Sequence, residues 1–192
     1  NLRPGHPFAD LPPREALASC IDLDGLIADA TDGTGIKISS TVLPGSWAAE
    51  PNPPAESSRD VGAARSILTG AGWVAGSDGV YAKGGHRLEA NLLVRDGQMT
   101  RLRAAQVLAD QALGCGISLT VTPAPYSTDI LPRLHYPSDF DLYLGGWQWG
   151  LDPDDSDIFG SSACPSQDAP SGKNFVCWQS GSADTLLANG LR

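Results

Sequence analysis

Residues 87–121, RLEANLLVRDGQMTRLRAAQVLADQALGCGISLTV, decide the fold class of this chain. Apolar and polar residues alternate over residues 87–95, which is the pattern of a strand with one buried face. Small and apolar residues then recur at helical spacing over 100–113, and a Gly-Cys-Gly sequence at 114–116 ends that helix. An apolar strand follows at 117–121. The stretch therefore predicts the strand–helix–strand unit of an α/β fold.

The flanking sequence extends this pattern in both directions. Downstream, Ser127 can cap a short helix that Pro132 interrupts, and residues 140–144 alternate as a further strand. Other elements are predicted as a helix that starts at Leu11, helices at 23–30, 59–71, 155–159 and 183–188, and a strand at 80–82. We expect one α/β domain over residues 1–192, with helices on both sides of a mixed sheet.

The composition restricts the function classes. The chain has 192 residues, with 13 Lys and Arg against 22 Asp and Glu, and a formal net charge of −9. Nucleic acids attract basic surfaces, so a nucleic-acid partner is not expected. No apolar run reaches the roughly 20 residues of a membrane helix, and the first residues lack the pattern of a signal peptide. Because the sequence starts and stops abruptly, we expect a piece of a longer protein.

Sequence motifs of catalysis are missing. The chain has no Gly-rich phosphate-binding loop and no Ser in a GxSxG turn. The acidic stretch 152–157 lacks the glycine and the closing glutamate of an EF-hand loop, so no metal and no cofactor are expected. A weaker enzyme hypothesis uses Asp139, Asp141 or this acidic stretch, together with His135, for acid–base chemistry.

Two of the four cysteines predict a disulfide bond. Cys164 and Cys177 lie 13 residues apart in a loop rich in Ser, Pro, Gly and Asp, which cannot bury a core of its own. A bond across a loop of this length contributes about 3 kcal/mol, and it implies an oxidising compartment. Two reduced loop thiols are the alternative. Cys20 and Cys115 adjoin small or apolar residues and are predicted to be buried and unpaired.

The tryptophans are the most informative candidates for a binding site. Four of the five stand in loops rich in Gly and Pro: Trp47, Trp147, Trp149 and Trp178. Tryptophan combines a large apolar surface with an N–H donor, which suits the wall of a ligand site. Trp147 and Trp149 also follow the carboxyl end of a predicted strand, where α/β sheets bind their ligands. The alternative is that these rings pack their own loops against the core.

Short motifs in a fixed order run along nearly the whole chain. They are FADL at 8–11, REALA at 14–18, ID at 21–22, PGSW at 44–47, AARSIL at 63–68, AGW at 71–73, DGV at 78–80, RAA at 103–105, LGCGI at 113–117, DFDL at 139–142, GW at 146–147, NF at 174–175 and WQS at 178–180. Together they resemble the family 5 extracellular solute-binding proteins, which are the dipeptide-, oligopeptide- and nickel-type receptors of ABC importers.

The resemblance implies a fold and a function. Members are two-lobed receptors of the type II periplasmic-binding-protein kind, and this chain would be the C-terminal lobe. They trap a peptide or another small solute between the lobes by hinge closure and deliver it to an ABC permease without catalysis. The protein would be extracytoplasmic, either periplasmic or lipid-anchored, and we expect a monomer. The expected ligand-binding wall comprises Trp47, Trp147, Trp149, Asp152, Asn174 and Trp178.

Departures from the family pattern leave the ligand open. In peptide-binding members, an Asp a few residues after the Gly-Trp pair contacts the peptide amino terminus. This sequence has Gly150 near that place, and its first carboxylate follows at Asp152. Trp149 suits a flat, sugar-like ligand as well as a peptide, and a ligand-sensing role in signalling is an alternative to transport. Cys177 stands where the family usually has glycine, which supports a bridge to Cys164.

Overall fold

The computed structural model describes residues 1–50, 58–148 and 152–190. The helices in these residues are α1 Leu11–Cys20, α2 Leu23–Thr31, α3 Val61–Gly70, α4 Met99–Gly114, α5 Leu131–Leu134, α6 Ser156–Phe159 and α7 Gly181–Gly190. The strands are β1 Val74–Ala75, β2 Tyr81–Lys83, β3 His86–Arg87, β4 Glu89–Arg95, β5 Ser118–Ala124 and β6 Leu142–Leu144. Within the described ranges, no helix has the length and apolar character that crossing a bilayer requires.

A parallel sheet in the order β5–β4–β6 forms the centre of the fold. β4 pairs with β5 along its whole length, and residues Leu92 to Val94 of β4 also pair with β6. Leu93 and Val94 have no exposed surface, which fits a central parallel strand that is covered on both faces. α4 packs against both β4 and β5. The predicted strand–helix–strand unit and the α/β fold class are therefore confirmed.

The antiparallel strands β1, β2 and β3 form a separate small sheet. The Tyr81 N–H donates to the Gly116 carbonyl oxygen at 2.9 Å, and the Leu88 N–H donates to the Tyr81 carbonyl oxygen at 2.7 Å. Gly116 has a φ of +85°, and an added Cβ would lie 2.6 Å from the Gly79 carbonyl oxygen, so this junction requires glycine. The strand predicted at 87–95 is thus divided, because Leu88 bonds to β2 between the end of β3 and the start of β4.

The helical layer contains a disulfide bond that the sequence did not predict. Cys20 ends α1 and Cys115 follows α4, and the two form a bond with their Cα atoms 6.2 Å apart. The prediction of two unpaired cysteines here is wrong, although both side chains are fully buried as expected. The packing of α1 against α4 brings them together over a separation of 95 residues. The predicted bond between Cys164 and Cys177 is present, with Cα atoms 4.7 Å apart.

The segment after β5 differs from its prediction. A π-helical turn at Tyr126–Ile130 leads directly into α5, so Pro132 does not interrupt the helix. Pro132 is the second residue of α5 and has no N–H to donate back to the π-helical turn, yet the backbone keeps its helical course through it. Ile130 and Leu134 bury their side chains beside Leu93 of the central strand. This segment therefore covers one face of the parallel sheet, close to the carboxyl ends of its strands.

Candidate functional site

The carboxyl ends of the parallel strands border a cavity of about 480 Å³, which we call the aromatic cavity. Its walls come from β6 and the glycines after it, from Tyr126 beyond β5, from α6, and from the loop before α7. The described residues that line it are Asn1, Tyr126, Phe140, Leu142, Tyr143, Leu144, Gly145, Gly146, Trp147, Ile158, Phe159, Lys173, Phe175 and Val176. Most of these side chains are apolar or aromatic, as in sites that bury the body of a small ligand.

A pair of stacked rings forms one wall of the aromatic cavity. The Trp147 and Phe175 ring centroids are 5.6 Å apart with an angle of 19° between the planes. Trp147 is 43% exposed, so part of its surface is available to a ligand. An added Cβ on Gly145 would lie 2.2 Å from the Tyr143 ring. The glycines that follow β6 therefore let the chain turn closely past Tyr143 and place the Trp147 ring against Phe175.

Trp178 supports the opposite wall. Its ring meets the Phe159 ring edge to face, with centroids 6.4 Å apart. Phe159 ends α6 and lines the aromatic cavity. Trp178 is partly exposed, and its described contact is with the wall residue and not with the cavity itself. An edge-to-face pair of this kind fixes the orientation of the Phe159 ring.

Asn174, which the sequence placed in the ligand-binding wall, is a structural residue of the loop. Its side chain is 1% exposed, and its amide N–H groups donate to the carbonyl oxygens of Gly160 at 3.1 Å and Trp178 at 2.7 Å. Its side-chain oxygen accepts from the Trp178 N–H at 3.0 Å. These bonds hold the chain around Phe175 and Trp178 in place. The effect of Asn174 on the cavity is thus indirect.

The N-terminal segment fixes the same loop from the other side. Leu2 N–H donates to the Val176 carbonyl oxygen at 2.9 Å. The Arg3 guanidinium donates to the carbonyl oxygens of Phe175 and Pro165, each at 3.0 Å. All three acceptors are backbone atoms. Together with the bond between Cys164 and Cys177, these contacts hold Phe175 against Trp147.

The other predicted site residues lie elsewhere. Trp47 and Asp152 line a second cavity of about 650 Å³, formed by residues 41–47 with Asp152, Pro153 and Asp155. The Thr41 hydroxyl donates to the Asp155 carboxylate and joins the two sides of this cavity. Trp47 is 83% exposed. Trp149 lies outside the described residues. The predicted wall is therefore distributed between two cavities and the loop that supports one of them.

Five aromatic residues that line the aromatic cavity were not selected from the sequence: Phe175, Tyr143, Tyr126, Phe140 and Phe159. Phe175 is next to Asn174 in one of the motifs. The sequence spacing did not show that the Phe175 ring lines the cavity while the Asn174 amide is buried in the loop. Tyr143 occupies the middle of β6, and an alternating pattern alone did not show that this face meets a cavity. Tyr126 starts the π-helical turn after β5. Its position at the carboxyl edge of the sheet was the available signal.

The residues of the acid–base hypothesis are each engaged separately. Asp141 pairs with His6 at 3.1 Å and accepts from the Asn91 N–H at 3.0 Å. Asp139 lies 3.9 Å from the Arg133 guanidinium, and the His135 ring lies 6.3 Å from that of Phe175. Over residues 1–50, 58–148 and 152–190, no hydrogen bond joins these two carboxylates to His135, and no group of three or more His, Cys, Asp or Glu side chains could hold a metal ion.

Comparison with known proteins assigns the chain to a family. Residues 1–169 match the family described as bacterial extracellular solute-binding proteins, family 5, middle. The oligopeptide-binding protein AppA of Bacillus subtilis (strain 168) is 28% identical over an alignment of 191 residues, which covers 94% of this chain and 33% of AppA.

Solved structures agree with the sequence match. The structure of AppA from Bacillus subtilis in complex with a nonapeptide superimposes with a TM-score of 0.85 at 26% identity, covering 95% of this chain and 36% of that one. NikZ from Campylobacter jejuni in complex with Ni(L-His) has a TM-score of 0.79 at 24% identity, covering 94% and 35%, and shows the same fold. The chain spans about a third of the length of these relatives. It belongs to the family 5 bacterial extracellular solute-binding proteins.

Proposed function

We propose that this chain is the ligand-capturing lobe of the substrate-binding protein of an ABC importer, specific for peptides or another small solute. The observation that carries the proposal is the aromatic cavity at the carboxyl ends of the parallel strands. In this role the cavity binds part of the ligand, and the remainder of a two-lobed protein closes over it by a hinge movement. The captured solute then passes to a membrane permease, and no bond of the solute is broken.

The comparisons support a peptide as the first ligand class to test. AppA, which is 28% identical to this chain, is an oligopeptide-binding protein, and its structure contains a nonapeptide. An apolar cavity with a stacked Trp147–Phe175 wall suits a side chain of such a ligand. The separate engagement of Asp139, Asp141 and His135 favours binding over acid–base catalysis. Two disulfide bonds favour an oxidising, extracytoplasmic location.

The first test is binding by the full-length protein. Mass spectrometry of solute that copurifies with it identifies the ligand class, and titration calorimetry with a peptide series gives the affinities. Trp147→Ala removes half of the stacked wall and is expected to weaken binding about tenfold, which corresponds to about 1.4 kcal/mol. Leu186→Ala is the matched control, because Leu186 is an exposed apolar residue of α7.

The outcomes separate the alternatives. Trp47→Ala examines the second cavity independently, because Trp47 and Trp147 line different cavities. Wild-type affinity in the Trp147→Ala protein would show that the aromatic cavity is not the ligand site. Turnover of any captured solute would contradict the non-catalytic role.

A further inference from the structure

We propose that the Cys164–Cys177 bond is a site of covalent modification by low-molecular-weight thiols, and that its opening weakens the aromatic cavity. The bond closes the segment of chain that carries Phe175. The chemistry of the bond depends on this chain alone. Its effect on a bound solute rests on the proposed function, and the two parts are tested separately.

The two disulfide bonds of the protein differ in their access to solvent. Cys20 and Cys115 have no exposed surface. Cys177 is half-buried and lies between two exposed residues, Val176 and Trp178. Thiol–disulfide exchange requires that the incoming sulfur reach one sulfur of the bond. A small thiol in solution can therefore reach Cys177, whereas the Cys20–Cys115 bond is covered by protein.

Arg3 makes Cys164 the leaving group of this exchange. One Nη atom of its guanidinium lies 3.5 Å from Cys164 Sγ. The positive charge stabilises a thiolate at Cys164, and a stabilised thiolate leaves faster. The contact of the Cys177 sulfur is uncharged, because it is the Gln179 amide nitrogen at 3.9 Å. The incoming thiolate therefore attacks Cys177, and Cys164 departs.

The exchange conserves electrons between the reagent and the two cysteines. The thiolate sulfur of the reagent forms a bond to Cys177 Sγ, the Cys164–Cys177 bond breaks, and its electron pair remains on Cys164 as a thiolate. The product is a mixed disulfide at Cys177. A second thiol then displaces the first from Cys177. Two reagent thiols are thus oxidised to one disulfide, and the pair of cysteines is reduced by two electrons.

The Arg3 guanidinium also couples the bond to the aromatic cavity. It donates to the carbonyl oxygens of Pro165 and Phe175, each at 3.0 Å. The Nη atom that bonds to Pro165 is the one beside the Cys164 sulfur. A thiolate accepts a stronger, charge-assisted hydrogen bond than a disulfide sulfur does. Opening of the bond therefore draws Arg3 towards Cys164 and weakens its hold on the carbonyl of Phe175.

The backbone of the closed segment favours a change of course once the bond is open. Cys177 has a φ of +58°, in the left-handed region that a residue with a Cβ occupies at an energetic cost. Phe175 and Val176 precede it directly, and both line the aromatic cavity. Release of Cys177 from the bond lets its backbone relax, so we expect the Phe175 ring to lose its fixed position against Trp147.

The modification is tested on the folded full-length protein without a ligand. The protein is exposed briefly to 2-mercaptoethanol, quenched with N-ethylmaleimide and digested without reductant for mass spectrometry. We expect 2-mercaptoethanol on Cys177 and N-ethylmaleimide on Cys164, at a rate at least about 100-fold above that of the Cys20–Cys115 bond. Equal rates for the two bonds would refute the site, and an adduct mainly on Cys164 would overturn the direction of attack.

Variants of Arg3 separate a chemical role from a structural one. Arg3→Gln removes the charge and should slow the modification of Cys177 about tenfold, because the departing thiolate loses its partner. Arg3→Lys keeps the charge and should recover part of the rate. The matched control is Arg14→Gln, since Arg14 also donates to backbone carbonyls, those of Phe8 and Ala9. A faster or unchanged rate in Arg3→Gln would show that Arg3 only holds the loop.

Hydrogen exchange shows the response of the loop without a ligand. The Cys177 N–H donates to the Asn174 carbonyl oxygen, and the Trp178 N–H donates to the Asn174 side chain. Dithiothreitol is added at a concentration that opens Cys164–Cys177 and leaves the buried bond intact. Amides of residues 174–178 should then exchange at least about tenfold faster, and those of α4 should not change. Unchanged exchange at 174–178 would refute the release of the loop.

The effect on the solute is measured by titration calorimetry with a pentapeptide that contains one Phe residue. Opening of the bond should weaken binding about tenfold, which corresponds to about 1.4 kcal/mol. Cys164→Ala/Cys177→Ala should bind with this weakened affinity and should not respond to dithiothreitol. Unchanged affinity after opening would refute the coupling to the cavity. An absence of binding by the oxidised wild type would refute the peptide-binding function, while the labelling rates still decide whether the bond is a modification site.

Discussion

The two disulfide bonds should stabilise the protein unequally, because they close chain loops of very different length. Cys20–Cys115 spans 95 residues and Cys164–Cys177 spans 13. In the chain-entropy account, the longer closure contributes about 4.7 kcal/mol to the free energy of unfolding and the shorter one about 3 kcal/mol. Removal of the longer bond also leaves a small void, since both of its cysteines are fully buried.

The assay is urea unfolding of two double variants, Cys20→Ala/Cys115→Ala and Cys164→Ala/Cys177→Ala, beside oxidised and reduced wild type. We expect the first variant to lose about 5 kcal/mol and the second about 3 kcal/mol. At about 3 °C per kcal/mol for a chain of this size, the midpoints of thermal unfolding should differ by roughly 6 °C. Equal losses, or a larger loss for the shorter loop, would refute the loop-length argument. Reduced wild type should show the combined loss.

Two further predictions concern side chains with defined partners. Asn174→Ala should lower the free energy of unfolding by about 3 kcal/mol, because three hydrogen bonds of a buried amide are lost, one of them from the Trp178 N–H. Chemical denaturation measures this loss. The control is Asn91→Ala, at an exposed side chain, which should change the free energy of unfolding by less than about 0.5 kcal/mol. The Arg87 hydrogen bond lowers the pKa of the Asp78 carboxyl below its usual value of 3.8. The stabilisation from the ionised Asp78 is therefore present above pH 3.8 and is lost as the pH falls through the lowered pKa of the folded protein. An NMR titration should show the Asp78 pKa rising in Arg87→Ala; an unchanged value would contradict this assignment.

The sequence predicted those elements of the fold whose apolar residues recur at regular spacing. The alternation in β4 and the helical spacing in α4 are local patterns, and each matches its element to within a few residues. The Cys164–Cys177 bond was also local, as it closes a single loop. The Cys20–Cys115 bond could not be found in this way, because it depends on how α1 and α4 pack across 95 residues. Small and apolar neighbours indicated burial correctly but carry no information on pairing.

The site was predicted less completely because it is built mostly from loops. Trp147 lines the aromatic cavity, and the sequence indicated its position because it follows a strand at the edge where α/β sheets tend to bind ligands. Asn174 and Phe175 are neighbours in sequence. The Asn174 amide is buried and bonds to the backbone, whereas the Phe175 ring lines the cavity. No periodic pattern decides such an alternation in a loop. Trp47 and Asp152 line a different cavity, since residues 41–47 lie beside the acidic turn and not beside β6.

The backbone contacts that Leu2 and Arg3 make with the loop around Phe175 have an evolutionary consequence. The bonds from Leu2 and Arg3 to residues 165, 175 and 176 all end on backbone carbonyl oxygens, so substitution of the side chains of Phe175 or Val176 leaves every one of these bonds intact. Descendants of this protein can therefore exchange the side chains that line the aromatic cavity while the loop keeps its course. The cavity surface can diverge by single substitutions, and the contacts of Leu2 and Arg3 need not change.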